Sequence, residues 1–442
     1  MRYYSTRDKG VFVSFKEAVM GGMNSSGGLF MPERIPAFGP AELEAFSALS
    51  FPELAARVIT PFAEGSMGAA DVAALCRDAF SFPMPLAGIG SGLSVLELFH
   101  GPTCAFKDVG ARFMARAMAF FKDPSESVRI LVATSGDTGA AVGSAFQGLP
   151  GFSVTILFPN GRISPLQEKQ LSTFTGNVRA LAVEGSFDDC QRLVKQAFTD
   201  APLRSRMNLS SANSINIARL VPQASYYAWA ALKATGGKGK ARPFSVMVVP
   251  SGNFGNLTAG LFAHRMGFPI DRFLAATNSN KTVPDYLETG EYRPRDSLAT
   301  ISNAMDVGAP SNFERMKELY GLEEMRALIR GRWVSDADTR AAIRACKAET
   351  GYVMEPHGAV GYRAWKAEEA YYRGLAREEG RADVSAVIFE TAHPAKFSEV
   401  VREELAADPE VPERLAAVLK LPDRSLPMRA DYGELREYLL SD

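Results

Sequence analysis

The chain has 442 residues and a formal net charge of -1, with 46% hydrophobic and 22% charged residues, the balance of a globular enzyme of two or three domains. Near-neutral charge argues against a nucleic-acid or anionic-membrane partner. No window approaches about 18 unbroken apolar residues, and the opening MRYYSTRDKGVFVSF lacks the apolar core and cleavage site of a signal peptide, so no membrane span or secretion is expected.

Residues 1–94 are expected to form a separate, mainly helical unit. Residues 15–20 read as a short helix stopped by Gly21-Gly22, and Gly27-Gly28 as a turn into an extended piece, 29–32. Stretches 42–48, 51–59 and 69–79 place apolar residues at helical spacing, punctuated by Pro40, Pro52 and Pro61. Residues 81–92 are rich in Pro and Gly and read as a connector. Their Gly88-x-Gly90-x-Gly92 does not match the dinucleotide fingerprint.

From residue 95 to 442 the pattern becomes strand, glycine turn, helix. Strands are expected at 95–99, 127–134, 152–158, 178–183, 244–249, 273–276 and 385–389. Helices are expected at 112–121, 136–146, 165–173, 188–199 and 256–266, with a long one at 216–235 kinked by Pro222. Residues 236–240 read as a flexible basic loop, and 311–380 as mainly helical and charged. The alternation predicts an α/β catalytic region with parallel sheet. Cys76, Cys104, Cys190 and Cys346 lack CxxC spacing and His100, His264, His357 and His393 are isolated. That predicts free thiols in a reducing cytoplasm and no metal site.

Four turns carry chemistry. In HGPTCAFKDVGA, 100–111, Lys107 ends a strand and opens a helix. A lysine on such a turn can lose solvation and act as an amine nucleophile, typically a Schiff-base former; the competing reading is a solvated surface lysine. In PSGNFGN, 250–256, glycines before a helix form an anion cradle suited to a cofactor phosphate. It is not a Walker A loop, because no GK[ST] follows. In TSGDTG, 134–139, Ser135 and Thr138 suit a substrate carboxylate, while Asp137 is either a helix cap or part of the site. In SSANSINIAR, 210–219, Asn213 or Ser214 reads as the helix cap, and Arg219 either serves a second phosphate or plays no part. A last strand ends at Thr391. A turn lysine, a phosphate cradle and a polar strand end are what pyridoxal phosphate requires for its aldehyde, its phosphate and its ring nitrogen.

HGPTCAFKDVGA, ATSGDTGAA, NSINIARL, PSGNFGNLTAG and ETAHPAKF, in this order, resemble the motifs of the threonine synthase family. The opening STR…VSFKEAVMGG…GGLFMPE resembles the amino-terminal domain of its bacterial and fungal branch, with Ser26 where an acid often stands. The resemblance implies a fold-type-II pyridoxal phosphate enzyme, with two α/β subdomains in 95–442 behind the unit 1–94. It implies conversion of O-phospho-L-homoserine and water to L-threonine and phosphate. Carried over by motif, Lys107 holds the cofactor, and Gly252, Asn253, Phe254, Gly255 and Asn256 wrap its phosphate. Thr391 faces the pyridine nitrogen and Asp137 lies near the phenolic oxygen. Ser135 and Thr138 take the substrate carboxylate; Arg162, Asn213, Ser214 and Arg219 take its phosphate. Cys104 is given no role, and His393 is expected to be structural. The competing activity is a serine or threonine dehydratase of the same fold, which has little use for Arg162 and Arg219. A further alternative, a catalytically inactive binding homologue, sits poorly with an intact Lys107. The expected assembly is a monomer or homodimer.

Overall fold

The structure is a computed structural model that describes residues 1–22, 27–236 and 242–441. Ser26 and most of the basic loop read at 236–240 lie outside the described residues.

Three sheets organise the chain. β1 (Arg2–Ser5), β2 (Asp8–Ser14) and β3 (Phe30–Pro32) form a small antiparallel sheet in the order β2-β1-β3. Residues 1–94 are mainly helical, as expected, with the helices Phe15–Gly21, Pro40–Phe46, Phe51–Ala63 and Ala69–Ala79, and this small sheet is an addition to them. The second sheet contains β4 (Leu86–Gly90), β5 (Leu93–Glu97), β10 (Phe244–Pro250), β11 (Arg272–Thr277), β12 (Ile329–Trp333) and β13 (Val384–Glu390). Its order is β12-β11-β10-β13-β5-β4, parallel except for β4 at the edge. The third, all parallel, contains β6 (Val128–Ala133), β7 (Phe152–Pro159), β8 (Val178–Glu184), β9 (Leu209–Ser210) and β14 (Leu426–Arg429), in the order β14-β8-β7-β6-β9. β10 and β13 are buried along their whole length, as expected for parallel strands covered on both faces. That burial explains their unbroken apolar runs.

Several elements differ from the expectation for local reasons. The Pro/Gly-rich connector contains β4, which pairs antiparallel to β5 with a register shift at its glycines. The region 311–380 contains the short strand β12. The helix expected at 216–235 is divided by Pro222 into Ile217–Leu220, a 3-10 turn Val221–Gln223 and Ala224–Thr235. Its cap is neither Asn213 nor Ser214: the Asn216 side chain accepts from the Ala218 amide at 2.9 Å, and its Nδ2 donates to the Val19 carbonyl at 2.8 Å.

The amino-terminal unit packs on the helices that carry the chemical turns. Phe15 meets Phe121 of the helix Lys107–Phe121 edge to face, with ring centroids 6.0 Å apart. Phe62 stacks on Phe262 of the helix Gly255–Arg265 at 5.9 Å. Both Phe15 and Phe62 are fully buried, and each such ring contributes roughly 1.5–3 kcal/mol. The lysine helix approaches the segment before the 3-10 turn through Gly110, where a Cβ would lie 2.8 Å from the Arg219 carbonyl oxygen. A backbone oxygen cannot rotate away. Gly110→Ala is therefore expected to destabilise the protein by about 1–3 kcal/mol, read by chemical denaturation. Unchanged stability would show that the two segments slide apart freely.

Candidate active site

The chemical turns converge because of strand order. β10, β13 and β5 are neighbours in one parallel sheet, and the glycine turn, Thr391 and the lysine turn follow their carboxyl ends. Two strand spacings, about 10 Å, separate the outer pair. The carboxyl ends of β6 and β7 in the other sheet carry TSGDTG and Arg162. Such strand ends are where open α/β sheets bind ligands.

The lysine turn is held tightly. Asp108 is fully buried and accepts from the Thr103 amide at 2.9 Å and the Thr103 hydroxyl at 2.8 Å. Burial pushes its carboxyl up to about 6, against those hydrogen bonds, which lower it. Gly101 leaves room for it: a Cβ there would lie 2.4 Å from Asp108 Oδ2. The turn is sewn to the end of β13, since the Phe106 amide donates to the Thr391 carbonyl at 2.8 Å and the His393 amide to the Cys104 carbonyl at 3.1 Å. Cys104 takes a left-handed φ of 55°, and no chemistry is assigned to it.

Lys107 is the first residue of its helix and is half-buried. Loss of solvation brings its amine down to about 8 from 10.5. Asp137 and Glu355 oppose that shift, while Arg219 and Lys396 assist it. That leaves roughly a tenth of the amine neutral at pH 7, far more than an ordinary lysine has, which is the condition for a nucleophile or base.

The glycine turn forms a second feature. Phe254 has φ 59° and ψ 8°, the left-handed region that a bulky residue rarely adopts, and caps the 11-residue helix Gly255–Arg265. That conformation, ahead of free amides at a helix start, builds an anion cup. Gly252 is half-buried and lies against the 3-10 turn Asn303–Met305, where a Cβ would sit 2.7 Å from Met305 Cα. The Asn253 side chain is committed to neighbouring loops: Nδ2 donates to Ser214 Oγ at 2.7 Å, and Oδ1 accepts from the Ser311 amide at 2.6 Å. Asn256 is buried, and its Oδ1 accepts from the hydroxyls of Tyr226 and Tyr227 at 2.6 and 2.8 Å.

Ser135, Thr138, Asn213 and Ser214 are half-buried. Arg219 is buried, donates Nη1 to the Ala212 carbonyl at 2.7 Å, and its Nε finds no hydrogen-bond partner among the described residues. Burial lowers it to about 10. Arg162 is exposed on the turn after β7, on the side of the sheet that carries Ser135. Asp137, the first residue of the helix Asp137–Phe146, does not act as its cap. It pairs with Lys396 Nζ at 2.6 Å and accepts from Gln167 Nε2 at 2.9 Å. Burial alone would raise its pKa; the ammonium groups of Lys396 and Lys107 override burial and lower it.

Thr391 is buried, with Oγ1 3.5 Å from Glu355 Oε1, the outer limit of a hydrogen bond. Glu355 Oε2 lies 2.5 Å from His357 Nδ1, and His357 Nε2 accepts from the Ala304 amide at 3.1 Å. The imidazole therefore carries its proton on Nδ1. A network runs from the end of β13 to the 3-10 turn that supports Gly252. Burial, first among its influences, lowers His393 to about 4, and its Nδ1 accepts from the Ala395 amide at 3.2 Å. Lys396, Gln167 and Glu355 escaped the sequence reading, and His357, read as isolated, joins Glu355 and the Ala304 amide. Only Lys396 lay inside a motif, and its partner is distant in the chain.

The donor set fits pyridoxal phosphate. It offers a desolvated amine, an anion cup two strands away, and a buried arginine whose Nε has no hydrogen-bond partner among the described residues. This arrangement defines the class: a pyridoxal-phosphate-dependent enzyme of fold type II. The "Pyridoxal-phosphate dependent enzyme" family model matches residues 86–430, and "Threonine synthase N terminus" matches residues 2–80. The chain is 43% identical to a threonine synthase of Haemophilus influenzae over the whole of both chains. It superposes on the crystal structure of the Escherichia coli threonine synthase with a TM-score of 0.90, at 42% identity and full coverage of both. A pyridoxal-phosphate-bound threonine synthase from Brucella melitensis gives 0.89 at 35% identity, covering 99% of this chain and 98% of that one. The chain belongs to the threonine synthase family.

Gly252→Ala is expected to weaken pyridoxal phosphate binding at least about tenfold with the fold retained, because Met305 backbone blocks the added methyl. Absorbance titration of cofactor-free protein is the measurement. Wild-type affinity would remove Gly252 from the cup.

Proposed function

We propose that this chain converts O-phospho-L-homoserine and water to L-threonine and phosphate with pyridoxal 5'-phosphate, the last step of threonine biosynthesis. The observation that carries the reading is the desolvated Lys107 amine, at a strand end two strands from the glycine turn and within electrostatic reach of the buried Arg219.

The cofactor, when bound, supplies a ring that accepts electron density from the substrate's α-carbon. Lys107 would hold it through its amine, and the backbone of Gly252, Asn253, Phe254, Gly255 and Asn256 would hold its phosphate. Thr391 would face the ring nitrogen and Asp137 the phenolic oxygen. With the Lys107 amine near 8, Nζ can take the substrate's α-proton and return it. Ser135 and Thr138 orient the substrate carboxylate from an amide-rich turn. Asn213 and Ser214 receive the substrate phosphate. Arg219, with Arg162 at the rim, balances the charge that develops as phosphate leaves. A β-proton leaves, phosphate departs from the γ-carbon, that carbon takes up a proton, and water then adds at the β-carbon. Packing of the amino-terminal unit against both functional helices keeps these groups in register.

No helix among the described residues is long and apolar enough to cross a membrane. Free cysteines support a cytoplasmic setting, and a net charge of -1 supports a reading without a nucleic-acid partner.

Phosphate release from O-phosphohomoserine, set against keto-acid formation from serine or threonine, tests the reaction; keto acid without phosphate release would make the chain a dehydratase. Arg219→Ala is expected to lower affinity for O-phosphohomoserine by about ten- to a hundredfold and leave cofactor binding in place. Loss of cofactor with substrate affinity intact would assign Arg219 to the other phosphate.

A further inference from the structure

Lys396 is a buried cation that the reaction above does not use. It follows β13 in the 3-10 turn Pro394–Phe397 and is 1% exposed. Two of the three N–H groups of its ammonium have acceptors: the Asp137 carboxylate at 2.6 Å and the Thr103 carbonyl at 3.0 Å. These acceptors belong to different sheets and different motifs. Asp137 opens the helix after β6. Thr103 holds Asp108, the residue next to Lys107, through its amide and hydroxyl. The Thr103 carbonyl also accepts from Gln170 Nε2 at 3.0 Å, and the Lys396 carbonyl accepts from Ser164 Oγ at 2.9 Å. Lys396 is therefore fixed at both its backbone and its amine.

The charges around it give this placement a consequence. Lys107 is faced by the carboxylates of Asp137 and Glu355 and by the cations of Arg219 and Lys396. Lys396 also acts on Asp108, Cys104 and His393. Asp137 is buried, and its other contact, Gln167 Nε2, is neutral. Asn303 Nδ2 donates to Gln167 Oε1 at 3.2 Å, which holds that amide the right way round. A buried carboxylate needs a cation. Two lysines are near enough to act on it: Lys396, in contact, and Lys107.

We propose that Lys396 is a positioning residue for this reaction: its buried ammonium, seated between the Asp137 carboxylate and the Thr103 carbonyl, is the permanent counter-ion of Asp137 and leaves the Lys107 amine free of that role. The inference rests on the reading of Lys107 as the lysine that holds the cofactor and takes the proton. Without Lys396, Lys107 becomes the counter-ion. Its proton is then held more tightly, and a protonated amine cannot act as a base.

The test is the pH dependence of kcat for holoenzyme with O-phosphohomoserine, in wild type, Lys396→Met, Asp137→Asn and the double variant. The acid limb reports the base in the substrate complex. In Lys396→Met it should move to higher pH, by about one unit or more, because an anion loses its competing cation. In Asp137→Asn it should move to lower pH, because the anion facing Lys107 is gone. The double variant should lie between the two, near wild type. Lys396→Arg keeps the charge and should keep the wild-type limb. If the limbs coincide in all variants while kcat and thermal stability fall, Lys396 is a clamp between the two sheets and the proposal is wrong. Should Lys396→Met fail to fold, Asp137→Asn still decides: an unmoved limb overturns the proposal. Borohydride reduction and peptide mapping of the wild type separate the two levels. Cofactor on Lys107 with unmoved limbs overturns this inference alone; cofactor on Lys396 or any other lysine overturns the assignment of Lys107 as well.

Discussion

Partial withdrawal of the half-buried Lys107 amine from water disfavours its ammonium, and the site is arranged around that one tendency. The amine does not stand in an apolar hole. Two carboxylates and two cations face it, so burial is free to set the direction of the shift. The backbone around it is equally constrained: Asp108 ties to Thr103, Phe106 donates to Thr391, and Gly110 fits against Arg219. A lysine whose turn could relax outward would regain solvent and return to an ordinary ammonium.

Sheet topology turns this local constraint into a site. β10, β13 and β5 are sequentially remote, yet adjacent and parallel. Their carboxyl ends bring a cup, a hydroxyl and an amine to one edge. The backing of that edge is polar and continuous. Thr391 leans on Glu355, Glu355 on His357, and His357 on the turn that supports Gly252. Glu390, the residue before Thr391, accepts from the Glu355 amide at 2.8 Å, and burial, with the Glu355 charge, pushes its carboxyl well above the ordinary value. The second sheet reaches the same edge through Asp137 and Gln167, whose contacts with Lys396 and Asn303 close the gap between the two halves.

The catalytic region was readable from sequence because each strand–turn–helix unit keeps its signal within a few residues. Buried parallel strands give unbroken apolar runs, and glycines mark the turns where a backbone must approach closely. The amino-terminal hairpin was not readable, because β2 is largely exposed and carries Val11 and Phe12 on its surface, so it has no alternation to detect. β4 was hidden by its glycines and its edge position. Asn216 took the cap from Asn213 and Ser214 through a tertiary hydrogen bond to Val19, which no local pattern announces. The same holds for Lys396 and Asp137. Their pairing joins two sheets, so it exists only after folding.

The chemistry of the site depends most on the state of one amine. Reductive methylation with carbon-13 formaldehyde of cofactor-free protein, with the Lys107 signal assigned by its absence in Lys107→Ala, allows that amine to be titrated directly by NMR. The structure predicts a midpoint of about 8 for Lys107. A midpoint at the ordinary lysine value of 10.5 would mean that the amine is solvated and charged throughout the working range, which would contradict the account.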